Sequence, residues 1–329
     1  MMDQLISRFP AQLKEALEIG EGAVINPHNQ AINKVYVAGL GGSGIGGDFV
    51  AEFVSSSCSI PYLVGKGYDI PNYIDSNTLA ITSSYSGNTE ETLNAFKQLK
   101  LTGAKIVVIS SGGQLIELAK EHGYDYITIP DDWPSPRACL GYSLIQQLYI
   151  LNNLGFIEAD FKDSIRSCID LLTYDADQIK KDAKDIASKL FGKIPIIYTT
   201  DRSEAVAVRL RQQINENSKM LCWHHVIPEM NHNELVGWRI EDEKWAVLYL
   251  RNHDDLKRNQ IRIEINKEII KKYSSTVIEV FSKGNTLIEK SLYLVHLGDW
   301  ISWYLAELRG VDAIEVKVID YLKSELKKV

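Results

Sequence analysis

The strongest constraint on this chain is the order of its apolar runs. Val35-Tyr36-Val37-Ala38 is short, continuous and ends in glycine, as a strand buried on both faces of a parallel sheet does. Further runs of this kind fall at 61–64, 79–83, 106–110 and 126–129, and helical patterns lie between them at 45–56, 90–101 and 115–122. Strands alternating with helices predict a doubly wound parallel sheet flanked by helices, after an amphipathic opening helix over 2–18. The rhythm returns after a long helix at 140–154 and a helical stretch at 160–190. It then gives a strand at 194–198, a helix at 205–215, a strand at 245–250, a helix at 255–272, a strand at 276–281 and closing helices. The reading is an α/β protein of two tandem domains, 1–155 and 156–329, with the boundary near Gly155. A chain of 329 residues has the length for two such cores.

Charge and cysteine usage exclude several functions. With 43 acidic against 36 basic residues the net charge is -7, which offers no footprint for nucleic acid. The N-terminus lacks a secretory pattern and no apolar run approaches the ~18 residues of a membrane span, so a cytoplasmic address is expected. Cys58, Cys139, Cys168 and Cys222 are widely spaced, and the histidines form no metal-ligating cluster. Neither a disulfide framework nor a protein-held metal is expected.

Two loops carry the first chemical signal. Gly39-Leu40-Gly41-Gly42-Ser43-Gly44 joins a strand to a helix, where glycines let backbone amides approach a phosphate at a helix N-terminus. Gly39, Gly41 and Gly44 also have dinucleotide-loop spacing, so this loop alone leaves both ligands open. The second strand ends in Gly65-Lys66-Gly67, with no acidic residue for a ribose. The second loop, Ser83-Ser84-Tyr85-Ser86-Gly87-Asn88-Thr89-Glu90-Glu91, again lies between strand and helix and offers Ser84, Ser86 and Thr89 as hydroxyl donors. That set suits a small phosphate ester; a simple cap by Thr89 would explain one hydroxyl, not three.

The 84–92 segment resembles the phosphosugar-binding loop of the sugar isomerase (SIS) fold. The segments Pro136-Arg137-Ala138-Cys139-Leu140-Gly141-Tyr142, Asn215-Glu216-Asn217-Ser218-Lys219 and Pro228-Glu229-Met230-Asn231-His232-Asn233-Glu234 extend the likeness along the chain. In order, they resemble the bifunctional phosphoglucose/phosphomannose isomerase family. The resemblance implies two SIS domains and an aldose-ketose isomerase that converts glucose 6-phosphate, and also mannose 6-phosphate, to fructose 6-phosphate through a cis-enediol.

It further implies phosphate binding by Gly42, Ser43, Ser84, Ser86 and Thr89, and a catalytic glutamate at Glu216, just after the helical pattern of 206–214. Proton movement between neighbouring carbons needs one base that takes a proton and returns it, which a carboxylate can do. His232 falls at the family's ring-opening histidine, and an imidazole with a pKa of about 6.5 can donate and recover a proton at neutral pH. Arg137 falls at the arginine that steadies the enediolate, and Lys323 at a lysine that assists ring opening. His224 and His225 are expected to be structural. The family pattern implies no cofactor, a hexose 6-phosphate as partner and a homodimer in which His232 serves its own or the neighbouring pocket. Two rival readings are a non-catalytic sugar-phosphate sensor and a nicotinamide-dependent oxidoreductase using Gly39, Gly41 and Gly44.

Overall fold

The computed structural model describes residues 1–328 and divides into two compact units. One comprises Arg8–Thr173 with Thr286–Glu289; the other comprises Met1–Ser7, Tyr174–Asn285 and the chain from Lys290 onward. Each is built on a parallel sheet, the α/β class expected from the alternating pattern.

The opening helix is two helices, α1 (Met2–Ser7) and α2 (Phe9–Glu21). Pro10 stands in the first turn of α2, where a missing N–H is tolerated but continuation from a preceding turn is not. The first unit then runs β1 (Lys34–Ala38), α3 (Gly41–Val54), β2 (Tyr62–Gly65), β3 (Thr78–Ser83), α4 (Glu90–Leu99), β4 (Lys105–Ser110), α5 (Gly113–His122), β5 (Asp125–Thr128), α6 (Leu140–Asn153) and α7 (Phe161–Tyr174). Its strand order is β2-β1-β3-β4-β5, all parallel. Alternate residues Tyr36, Ala80, Ile106 and Val108 pack with Phe96 and Leu99 of α4 and Leu115 of α5. On the other face α3 lies so close that a β-carbon on Gly47 would stand 3.4 Å from Val37. Burial on both faces is why β1, β3 and β4 read as continuous apolar runs.

The second unit contains α8 (Ala176–Leu190), β6 (Ile194–Thr200), α9 (Glu204–Ser218), β7 (Trp223–Ile227), β8 (Trp245–Arg251), α10 (Lys257–Ile270), β9 (Thr276–Phe281), most of α11 (Leu287–Arg309) and α12 (Lys317–Leu326). Its order is β7-β6-β8-β9, again parallel throughout. Ile196, Tyr198, Val247 and Tyr249 pack with Ile263 and Ile270 of α10. The helical stretch at 160–190 is divided between α7 and α8, and strand β7 is an addition to the elements legible in the sequence.

Candidate active site

In the first sheet, β1 and β3 are neighbours whose connections leave toward opposite sides, β2 lying on one flank and β4 on the other. The crevice beyond the carboxyl ends of two such strands is where open α/β sheets bind ligands. Both glycine and serine loops start there. A β-carbon on Gly39 would stand 2.9 Å from the carbonyl oxygen of Ser83 and 3.2 Å from Cβ of Ser43, so the missing side chain lets the first turn of α3 meet the end of β3. Leu40 caps α3 without a side-chain hydrogen bond, and Ser43 is buried in the first turn.

The 84–89 loop is held from inside. The Ser84 and Thr89 hydroxyls are 2.8 Å apart. Thr89 occupies the N-cap of α4, yet its side chain makes no cap bond. The hydroxyl therefore does not serve the ordinary capping role, and the amide-rich end of α4 carries only its dipole and the flanking Glu90 and Glu91. Gly87 has φ 66°, and a β-carbon there would fall 1.9 Å from the Gly112 carbonyl oxygen. Asn88 Oδ1 accepts the Gln114 backbone N–H at 3.1 Å, joining the loop to the start of α5. Ser86 is exposed, with its Oγ accepting the Asn88 N–H at 3.3 Å.

Arg137 comes to the same loops on a turn of 3-10 helix, Pro136–Ala138. A β-carbon on Gly42 would meet the Pro136 carbonyl oxygen at 3.4 Å and Arg137 Cα at 3.9 Å, so this arm lies across the start of α3. Arg137 is itself buried. Two residues absent from the sequence-based set hold the arm. The Tyr85 hydroxyl donates to the Trp133 carbonyl at 3.2 Å and accepts the Trp133 N–H at 3.1 Å. Burial, with the neighbouring Cys139, pushes this phenol up to about 12, so it keeps its proton and both bonds across the neutral range. Gln12 of α2 donates to the Ala138 carbonyl and accepts the Gly141 N–H, each at 2.8 Å. Gly42, Ser43, Ser84, Thr89 and Arg137 thus all belong to one unit, around the end of β1 and β3.

Glu216 lies in the last turn of α9, within the helix rather than after it. Asn-Glu-Asn is weak helix-forming sequence, but α11 fixes this end: Asn217 Nδ2 donates to Ser302 Oγ at 2.9 Å and Ser218 Oγ to the Ser302 carbonyl at 2.7 Å. About two helical turns upstream, buried Arg209 pairs with Asp299 at 3.1 Å. Removing one member of such a buried pair costs about 3–5 kcal/mol. These bonds set the rotation of α9 and leave Glu216 half-buried, lining a cleft of ≈ 360 Å³ with Met220, Val316 and Ile319.

His232 ends a 3-10 turn, Glu229–His232, and its side chain is exposed. The residues around it are anchored. Asn231 Nδ2 donates to Asn266 Oδ1 at 2.7 Å, and Asn233 Oδ1 accepts the Glu234 N–H at 2.6 Å. The Glu234 carboxylate accepts the Tyr198 hydroxyl and, at 3.1 Å, the Trp223 indole N–H. Lys323 is exposed on α12, a helix without a buried residue. His224 and His225 lie on β7; burial, reinforced by the Arg211 charge, lowers His224 to about 4.

Comparison with known proteins matches the SIS domain family over residues 30–127 and the bacterial phospho-glucose isomerase C-terminal SIS domain over 179–326. The bifunctional phosphoglucose/phosphomannose isomerase of Caldicellulosiruptor bescii is 41% identical over 100% of this chain and 99% of its own length. The chain belongs to this family. The Aquifex aeolicus member is 38% identical over 89% of this chain and 90% of its own. The fold is shared with the C-terminal domain of glucosamine-fructose-6-phosphate aminotransferase from Francisella tularensis, at TM-score 0.77 and 14% identity over 95% of this chain and 97% of that one.

Membership in the phosphoglucose/phosphomannose isomerase family agrees with the resemblance carried by the loop and glutamate motifs. Tyr85 stood inside a motif already singled out, but its hydroxyl bonds 48 residues away. Gln12 had no local signal; its partner at Ala138 is 126 residues distant. Among the described residues, no group of three His, Cys, Asp or Glu is placed to hold a metal ion, and no helix is long and apolar enough to cross a membrane.

Proposed function

We propose that this chain interconverts fructose 6-phosphate with glucose 6-phosphate and mannose 6-phosphate, by proton transfer through a cis-enediol, as a cytoplasmic enzyme of glycolysis and gluconeogenesis. The observation that carries the reading is the hydroxyl loop at the β1/β3 crevice, with Thr89 turned to Ser84 instead of capping α4. Its occurrence in a chain 41% identical to a named isomerase along its whole length supports the same conclusion.

In this mechanism the phosphate rests on Gly42, Ser43, Ser84, Ser86 and Thr89, where neutral donors and two helix starts offset its charge. His232 and Lys323 open the ring by giving a proton to the ring oxygen and taking one from the anomeric hydroxyl. Glu216 then removes the proton on carbon 2 of the aldose and returns it to carbon 1, while the hydroxyl proton passes between the two oxygens. Arg137 steadies the enediolate, a charge present only along the reaction path, so its interaction lowers the barrier rather than the ground state. The proposal includes a homodimer in which His232, exposed on its turn, serves its own or the neighbouring pocket.

The test offers fructose 6-phosphate to chelator-treated protein and measures both aldose products. Glucose 6-phosphate and mannose 6-phosphate should each form. Glu216→Gln should abolish turnover and still bind the sugar phosphate. Binding without turnover by the unaltered protein would replace the isomerase with the sensor reading.

A further inference from the structure

The backbone at the end of α9 asks for a residue other than the one it has. Lys219 is, among the described residues, the one non-glycine with positive φ, at 55°. The Met220 N–H returns to the Ile214 carbonyl at 3.4 Å, closing the helix in the left-handed turn that glycine or asparagine normally fills. A β-carbon is disfavoured there, so a lysine persists only where its side chain returns more than the backbone loses.

What the side chain does is visible. Its ammonium donates to the carbonyl of Glu216 at 2.5 Å and to the carbonyl of Glu315 at 2.7 Å. The Glu315 carboxylate lies 4.0 Å away and accepts the Lys317 N–H, at 3.0 Å, where α12 begins. The cation thus ties the last turn of α9 to the residues that launch α12. Since α12 buries no residue of its own, packing does little to place it. Glu216 and residues 315–319 line one cleft across this tie.

We infer that Lys219 is a positioning residue for the isomerisation: it holds the end of the Glu216 helix and the start of the Lys323 helix at a fixed separation. This rests on the assignment of Glu216 as base. Lys219 acts on the proton-transfer and ring-opening side of the site, and the phosphate loops lie in the other unit. Its loss therefore lowers kcat and leaves KM nearly unchanged. A residue that served only to cap α9 would behave in the opposite way, because glycine fits positive φ better than lysine.

The test compares Lys219→Gly, Lys219→Arg and Glu216→Gln for kcat and KM with fructose 6-phosphate and for thermal midpoint. Lys219→Gly should melt at or above the unaltered protein while kcat falls at least tenfold and KM stays within twofold. Lys219→Arg, which keeps a cation in reach of both carbonyls, should recover at least half the rate. A Lys219→Gly enzyme with kcat within twofold of the unaltered protein overturns the inference, as does a loss that Lys219→Arg fails to rescue. An inactive Glu216→Gln beside a fully active Lys219→Gly sinks this inference alone. A fully active Glu216→Gln sinks the assignment of the base and this inference with it.

Discussion

The two sheets begin with the same strand order, yet their crevices are finished differently. In the first sheet the loops after β1 and β3 are glycine and hydroxyl residues, arranged around two helix starts. In the second sheet the loops after β6 and β8 supply a carboxylate of their own. Asp255 is buried, accepts the Asn252 N–H at 2.9 Å and takes the Thr200 hydroxyl at 3.0 Å. Asn252 in turn donates to Ser203 Oγ at 3.0 Å and accepts the Ser282 hydroxyl at 2.6 Å. A buried, hydrogen-bonded carboxylate thus stands at the second crevice, where the first has glycine and hydroxyl groups. Two sheets of like order give two crevices, but the sequence at the strand ends decides how each is lined. The second unit places its candidate base elsewhere, at the far end of α9.

The sharpest way to break this contrast is at Gly87. Alanine there puts a β-carbon into the Gly112 carbonyl and onto a left-handed backbone. KM for fructose 6-phosphate should rise on the order of a hundredfold, equivalent to ~2.7 kcal/mol of binding. A KM within threefold would show that the cradle does not depend on this turn. Asp255→Ala should act the other way round, leaving the Asn252 N–H and the Thr200 hydroxyl unpaired. A loss of about 2–4 kcal/mol in stability is expected, with KM unchanged. If KM rises instead, the second crevice takes part in substrate binding and the contrast fails.

The smallest expected effect concerns acid. His296 on α11 is buried, and the Trp300 indole N–H donates to its Nε2 at 3.3 Å, a bond that needs the neutral ring. Burial, with the Lys180 charge nearby, lowers its pKa to about 3. The unfolded chain takes up this proton near pH ~6.5 and the folded chain does not, so stability contributed above that pH is lost as pH falls toward 3. At pH 5 the loss should be about 2 kcal/mol. Hydrogen exchange of α11 amides at pH 7 and 5, corrected for intrinsic rates, should show it, and His296→Gln should remove most of the difference. Equal protection at the two pH values would place a proton on the folded ring.

How much was legible in the sequence follows from how local each cause is. Strands buried on both faces announce themselves as apolar runs, and glycine or serine at a strand-to-helix junction announces a loop that must admit a close neighbour. Strand β7, Trp-His-His-Val-Ile, gives no such run because two adjacent histidines interrupt it, whereas β2, an edge of the first sheet, is apolar from Tyr62 to Val64. The last turn of α9 lies outside the apolar pattern because its stability comes from Ser302, 85 residues away from Asn217. Asp255 could not be assigned from its neighbours either, since the hydroxyl it accepts lies 55 residues earlier. The loops of the candidate site were readable; the partners that hold them in place come from distant parts of the chain.

Every residue of α6 from Leu140 through Leu151 is buried, with Gln146 bonded to the Ala16 carbonyl and Ser143 to Ser83. Such a helix has no side on which a charge can be tried without penalty, so single changes there are filtered harshly whatever their effect on chemistry. Since α6 begins two residues after the Pro136–Ala138 turn, drift in the arginine arm is restrained by a neighbour that can change only when several of its contacts change together.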